Sequence, residues 1–151
     1  MVDVTSVRER ARRFLIRALS RVHARAYRIS RGRILDRIVG MPVLLLTTIG
    51  RESGKPRTAT LTYLRDGADL VVIGSFGGSD LPPAWWLNLQ EEPRASVQIG
   101  RTTSTVTARA ATAEEHDRLW PVVTETNPGY ARYEERTARP IPIVLLTPEK
   151  E

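Results

Sequence analysis

From residue 42 onward, apolar and β-branched residues come in short runs, each closed by glycine, proline or a charged turn. Pro42 to Thr48 is a continuous apolar run of strand length, ended by Gly50. Thr58 to Leu64 is β-branched and partly alternating. Arg65-Asp66-Gly67-Ala68-Asp69 is a strong turn signal, so Leu70 to Ile73 should close a hairpin. Ser96 to Ile99 and Thr103 to Ala110 predict a second hairpin across Gly100-Arg101, and Ile141 to Leu146 a last buried strand. Two helices interrupt this pattern. One runs from Ala84 to Glu91, entered through Pro82-Pro83 and stopped before Pro93. The other begins at Thr112, where Thr112 and Glu115 make a capping box, and carries Leu119, Trp120, Val122 and Val123. Pro121 should kink or break it. Strands and helices do not alternate, which argues against a parallel α/β sheet. The expected fold is mainly β (α+β): a small barrel of about six antiparallel strands with inserted helices. The 151 residues are enough to bury a core without covalent staples.

The N-terminal segment has a different character. Residues 1–40 hold 11 arginines, no lysine and three acids, a net of +8, whereas residues 41–151 are net −2. The basic balance of the chain therefore belongs to its first forty residues. Residues 6–29 contain neither proline nor glycine and read as a helix, with Leu15, Leu19, Val22 and Ala26 at spacings of four, three and four. Such a basic amphipathic helix suits an anionic membrane surface, or it can dock on the body. Arg12-Arg13-Phe14-Leu15 has the opening of a twin-arginine export signal, but Arg17 and Arg21 deny it an uninterrupted apolar stretch, so export is not expected. The expected division is 1–40, helix and linker, and 41–151, the barrel.

Several chemistries are excluded. There are no cysteines and only two histidines, His23 and His116, so disulfides, thiolate metal sites and a cysteine nucleophile are out. Neither histidine has a metal-ligand spacing, and no Gly-x-Ser-x-Gly elbow occurs. No apolar run approaches membrane-spanning length. A chain so poor in acid–base groups either does no chemistry or borrows it from a cofactor.

Three segments remain as candidates. In Gly50-Arg51-Glu52-Ser53-Gly54-Lys55-Pro56-Arg57 two glycines free the backbone, and Arg51, Lys55 and Arg57 supply positive charge for an anion. In Ser75-Phe76-Gly77-Gly78-Ser79-Asp80 adjacent glycines at a strand end permit close approach by a flat ligand, and the segment leads into Pro83-Ala84-Trp85-Trp86-Leu87-Asn88. One tryptophan should be core, and the other could wall a pocket. Tyr130 and Tyr133, three apart, would share a helix face and could hydrogen-bond an acceptor or give it a proton.

Taken together and in order, these segments resemble the deazaflavin (coenzyme F420)-dependent nitroreductase family of actinobacteria. The resemblance spans about Met41 to Pro148. It is carried by Leu45-Leu46-Thr47-Thr48-x-Gly50-Arg51-x-Ser53-Gly54-x-Pro56-Arg57, Tyr63-Leu64-Arg65-Asp66-Gly67 and Ser75-x-Gly77-Gly78. Pro83-Ala84-Trp85-x-Leu87-Asn88-Leu89, Pro128-x-Tyr130-x-x-Tyr133 and Arg139-x-Ile141-Pro142-Ile143-Val144 complete it. It implies a split β-barrel akin to flavin reductases of the pyridoxamine-phosphate-oxidase type. It implies an enzyme that passes hydride from reduced F420 to a quinone, nitroaromatic or activated enone. By position, Arg51, Lys55 and Arg57 would hold the cofactor's phosphate and acidic tail, with Ser53 and Gly54 shaping the loop. Ser75, Phe76, Gly77, Pro83, Ala84, Trp85 and Asn88 would face the deazaflavin. Tyr130 and Tyr133 would line the acceptor pocket, with Ser75 as a further hydrogen-bonding group. Peripheral membrane contact through residues 6–29, on the inner face of the cell membrane, is also implied. A cytoplasmic monomer or homodimer is expected.

Three residues depart from the family pattern. Glu52 stands where a base is usual, Phe76 where Lys is usual, and Thr62 where an aromatic is common. The first two remove positive charge from the neighbourhood of an acidic tail, which leaves FMN, or haem, as an alternative ligand of the same barrel. A non-catalytic membrane-surface or nucleic-acid-binding protein is the reading from a different class. The net-negative body, with no basic stripe, makes nucleic acid an unexpected partner.

Overall fold

The computed structural model describes residues 4–30, 37, 38, 40–75 and 81–150. Helix α1 (Val4–Ser30) is followed by strands β1 (Arg37–Ile38), β2 (Met41–Ile49), β3 (Pro56–Thr62), β4 (Leu64–Asp66) and β5 (Asp69–Ile73). Helix α2 (Ala84–Glu91), strands β6 (Arg94–Ile99) and β7 (Thr102–Ala110), helices α3 (Ala113–Thr126) and α4 (Gly129–Arg136) and strand β8 (Ile143–Pro148) complete it. The strand order is β1-β2-β6-β7-β8-β5-β4, with β3 also paired to β2, and every pairing is antiparallel. β3 pairs with β2 near one end of this order and β4 lies at the other end, yet only Tyr63 separates the two in the chain. The sheet curls back on itself at that point, and its ends are joined by the chain as well as by the curl. This is the expected split barrel.

The continuous apolar runs follow from burial on both faces. On the inner face Leu44, Leu46, Leu70, Val72, Val97, Val106, Val144 and Leu146 form the barrel core with Trp85 and Leu89 of α2. On the outer face Val43 and Leu45 meet Ala24 and Tyr27 of α1. Val71, Ile73, Ile143 and Leu145 meet Leu119 and Val123 of α3 and Tyr130 of α4. Each fully buried leucine or valine contributes ~1.5–3 kcal/mol, so these three layers dominate stability.

The structure corrects several expectations. There are eight strands among the described residues rather than six. β1 and β4 are two and three residues long, too short to leave a pattern in the sequence. The run Thr58 to Leu64 divides at Tyr63: its backbone N–H still donates to the Pro42 carbonyl (3.1 Å), next in register along β2, and Leu64 then pairs with Val71 of β5. The capping box at α3 is as expected: Thr112 Oγ1 accepts from the Glu115 N–H, and Glu115 accepts from the Thr112 N–H. α3 nevertheless continues past Pro121. That proline is exposed, so the carbonyl it leaves unpaired one turn earlier can be hydrated. The expected linker from Ser30 to Gly40 lies mostly outside the described residues.

Of the two uses open to the apolar stripe of α1, docking on the barrel is not the one taken. α1 docks through Ser20, Ala24, Tyr27 and Arg28. Ser20 Oγ accepts from the Thr60 N–H (3.1 Å), and its carbonyl accepts from Thr60 Oγ1 (3.1 Å). Tyr27 Oη accepts from the Gly100 N–H (2.6 Å) and donates to the Val43 carbonyl (3.3 Å). Arg28 donates to Thr58 Oγ1. The stripe of Leu15, Leu19 and Val22 faces away from the barrel, joined by Phe14 (74% exposed) and Ile29 (76%).

Candidate functional site

The loop between β2 and β3 folds onto itself. The Gly50 N–H donates to the Lys55 carbonyl (2.9 Å), and the Gly54 N–H donates to the Gly50 carbonyl (2.8 Å). A Cβ on Gly50 would stand 2.6 Å from Ser53 Oγ, and Gly54 has φ +68°, so both positions require glycine. Ser53 Oγ accepts from the Lys55 N–H (3.2 Å) and Arg57 Nη2 (3.5 Å). The Lys55 ammonium has no polar partner among the described residues, and Arg57 has only that hydroxyl. The loop thus presents two cations with no acid to neutralise them. Glu52 points into solvent with its side chain 88% exposed, 4.0 Å from Arg51 Nη2.

Arg51 is held from below. Its backbone N–H and its Nη1 both donate to Asn88 Oδ1, at 3.1 and 3.2 Å. Asn88 Nδ2 donates to Thr48 Oγ1 (3.0 Å), and both of these side chains are buried. Asn88 therefore spends its amide on clamping the loop to α2 and β2. Pro83 caps α2, Ala84 is exposed, and Trp85 is buried in the barrel core. Trp86, half-buried, meets Trp85 edge-on at 6.5 Å between ring centroids.

Ser75 is buried at the end of β5. Gly74 pairs with Pro142 (N–H to carbonyl, 3.0 Å), and a Cβ on it would lie 2.8 Å from Pro142 Cγ. Arg139 donates to the Gly74 carbonyl (3.0 Å) and the Ser75 carbonyl (2.8 Å). Phe76 and Gly77, singled out from the sequence, lie outside the described residues. Tyr130 and Tyr133 share one face of α4, ring edge to ring face at 6.0 Å. Tyr130 is buried and shares a hydrogen bond with Thr62 Oγ1 (2.8 Å). Burial pushes its phenol up from the ordinary value, against the pull of the Thr62 hydrogen bond. Tyr133 is half-buried, with the Arg136 guanidinium 5.8 Å from its ring centroid.

These contacts close a circuit. The loop is bonded to α2 at Asn88, and α2 is fed by the segment after Ser75. Ser75 is bonded to Arg139, which follows α4. Tyr130 of α4 is bonded to Thr62, at the end of the strand that the loop begins. Hydrogen bonds thus tie the loop to α2, Ser75 to the segment after α4, and the end of β3 to α4. Sequence reasoning gave Asn88 no clamping role, Thr62 only a departure from pattern, and Arg139 no role at all. The signals were an asparagine between two leucines on a helix, and alternate threonines Thr58, Thr60 and Thr62 along one strand face.

The donor set fits an anionic cofactor. Lys55, Arg57 and the Ser53 hydroxyl suit phosphate and carboxylate oxygens, and the glycines keep the backbone low beneath them. No cluster of metal-ligating side chains occurs among the described residues.

Comparison with known proteins agrees. Residues 19–148 match the family model of F420H(2)-dependent quinone reductase. An F420H(2)-dependent quinone reductase of Mycobacterium tuberculosis is 42% identical over 133 residues, covering 85% of this chain and 89% of the relative. A solved F420-H2 dependent reductase is 34% identical with a TM-score of 0.63, covering 70% of this chain and 93% of that one. A structure described as a domain-swapped dimer is 32% identical with a TM-score of 0.66, covering 83% and 96%. The ordered motifs, the split barrel and the cationic loop therefore have one common account: the chain belongs to the F420H(2)-dependent quinone reductase family, whose enzymes are oxidoreductases that use coenzyme F420.

Proposed function

We propose that this protein reduces a quinone at the site ringed by the 50–57 loop, Ser75, the start of α2 and the tyrosines of α4. The observation that carries this reading is the pair of uncompensated cations, Lys55 and Arg57, on a glycine-shaped loop anchored to the same circuit as Tyr130 and Tyr133. Lys55, Arg57 and Ser53 hold the phosphate and acidic tail. Arg51, fixed by Asn88, adds positive charge beside them. Ser75, Pro83 and Ala84 would line the ring, and Trp85 supports that wall from the core. When bound, the reduced cofactor supplies hydride. Conversion of a quinone to a quinol also needs a proton, and we assign its donation to Tyr133 Oη, which is half-buried and has no hydrogen-bond partner among the described residues. Nitroaromatics and activated enones are electrophiles of the same kind and belong to the acceptor screen.

A second observation supports contact with an anionic membrane surface. Thr58 and Thr60 of β3 hold α1, and Thr62, two residues further on the same face, holds α4. Successive same-face positions are ~7 Å apart, so the outward apolar stripe of α1 runs beside the acceptor side of the site. Its arginines suit anionic headgroups. In this reading α1 faces the membrane and the barrel, with β1 on its edge, carries the catalysis. The likeness to a domain-swapped dimer makes a homodimer the assembly to look for, by sedimentation equilibrium.

The test is a fluorescence titration of the purified protein with F420, with FMN in parallel, followed by menadione turnover. Saturable F420 binding is expected, with FMN binding at least 100-fold weaker. Arg57→Ala should weaken F420 by about 1–3 kcal/mol, the scale of a lost charge-assisted hydrogen bond. Tight FMN binding with F420 ignored would overturn the assignment. Unchanged affinity in Arg57→Ala would remove the loop from the site.

A further inference from the structure

We propose that Thr62 is a positioning residue for the acceptor: its hydroxyl fixes Tyr130, whose ring in turn fixes Tyr133, so a strand-borne hydroxyl sets the shape of the acceptor pocket. This rests on the proposed function, in which the two tyrosines line that pocket.

The two tyrosines have different roles. Tyr130 is buried, and its Oη is engaged by Thr62 Oγ1 at 2.8 Å. Tyr133 is half-buried, and its Oη has no hydrogen-bond partner among the described residues. The edge of one ring meets the face of the other at 81°. Tyr133 is thus flanked by the Tyr130 ring, with the Arg136 guanidinium over its own. A rotation of Tyr130 would remove the first of these flanks. What stops that rotation is the hydrogen bond to Thr62, because a buried phenol without a partner is costly.

Thr62 is a rigid anchor. It ends β3 and stands opposite the buried Val43 in the β2 ladder. The same strand begins beside Arg57 of the cationic loop, five residues and ~17 Å away. One strand therefore measures the distance between the loop that holds the cofactor's anionic end and the tyrosine that shapes the acceptor end. A larger side chain at position 62 would occupy the space where Tyr130 now points and would exclude the present arrangement. The identity of residue 62 is in that sense a determinant of which acceptors fit.

The experiment compares wild type with Thr62→Val, Thr62→Ser, Tyr130→Phe and the double variant Thr62→Val/Tyr130→Phe. F420 affinity is read by fluorescence, menadione affinity by quenching of tryptophan fluorescence, and turnover by steady-state kinetics. Wild-type F420 binding and turnover come first, and their absence overturns the functional reading and the proposal with it. If both are present, Thr62→Val should raise the menadione KM and dissociation constant about tenfold, with kcat changed less than threefold and F420 affinity within twofold. Thr62→Ser should restore the wild-type values. Tyr130→Phe should match Thr62→Val, and the double variant should be no worse than either, because all three remove the same bond. Additive effects, failure of serine to rescue, or parallel loss of F420 affinity would overturn the proposal.

Discussion

The barrel and the N-terminal helix are held by different forces. The barrel is sealed by apolar side chains on both sheet faces, with Leu44, Leu46, Val72, Val106 and Val144 inside and α3 and α4 outside. α1 is held by the buried Tyr27 and Ala24, packed on Val43 and Leu45, and by a set of hydrogen bonds, while Phe14, Leu15, Leu19, Val22 and Ile29 are exposed. The difference teaches that directional hydrogen bonds, added to a small apolar contact, fix the orientation in which the helix docks. A helix bound by its leucines could slide or roll, because dispersion and the hydrophobic effect have little direction. One bound at Ser20, Tyr27 and Arg28 has a fixed rotation, and its outer face is left for another partner.

Truncation in the barrel should have the largest effect. Leu46 is fully buried on the inner face, so Leu46→Ala should cost about 2–5 kcal/mol in urea unfolding, the range for large-to-small core changes. A cost below ~1 kcal/mol would show that the inner layer is loosely packed and weaken the contrast. Next comes the anchor of the helix. Tyr27→Phe removes the acceptor of the Gly100 N–H and the donor to the Val43 carbonyl, and should cost about 1–3 kcal/mol. Because the barrel has its own core, that loss should appear first as tryptic cleavage within α1, before global unfolding. Simultaneous loss of α1 and barrel would mean that the two are one cooperative unit.

A third effect is confined to acid. Glu115 caps α3 and pairs with Arg109 at 2.6 Å, and the Arg109 hydrogen bond with those from Thr112 holds its carboxyl down at about 2. A folded value below the unfolded one stabilises the protein above pH ~4.5 and loses that contribution as pH falls toward 2. Glu115→Gln should therefore flatten the stability profile across this window and leave α1 protection unchanged. Asp66, lowered by its hydrogen bond to Arg118, contributes in the same direction. An unaltered profile in Glu115→Gln would place the acid sensitivity elsewhere.

The barrel was largely legible because its strands are buried on both faces, which writes a continuous apolar run such as Val43-Leu44-Leu45-Leu46 into the chain. β1 and β4 were not, since two- and three-residue strands owe their existence to their neighbours. The cationic loop was legible from Gly50, Gly54 and the bases between them. What holds it was not: Asn88 lies 37 residues from Arg51, and only the fold brings them together. α1 was legible as an amphipathic helix, but hydropathy left open whether its stripe of Leu15, Leu19, Val22 and Ala26 meets a membrane or the barrel. The fold docks the helix through Ser20 and Tyr27, because the outer face of β3 offers threonine hydroxyls and an edge N–H rather than an apolar groove.

That docking sets the smallest effect on stability and the sharpest test of the comparison. Leu15, Leu19 and Val22 replaced together by Gln should change stability by less than about 0.5 kcal/mol per site, since all three are exposed and Gln keeps helix propensity. Vesicles with a third of their lipid anionic should bind the wild-type protein, and the triple variant at least tenfold more weakly. High salt should weaken both, because arginines near an anionic surface contribute about 1 kcal/mol each and are screened. If the triple variant loses stability instead, the stripe is buried in the working protein, and a second copy becomes its partner. If vesicle binding is unchanged, the arginines alone hold the surface and the apolar face has no part in it. Retained stability with lost binding would show that one helix uses its polar side to fix the enzyme and its apolar side to face the phase in which hydrophobic quinones dissolve.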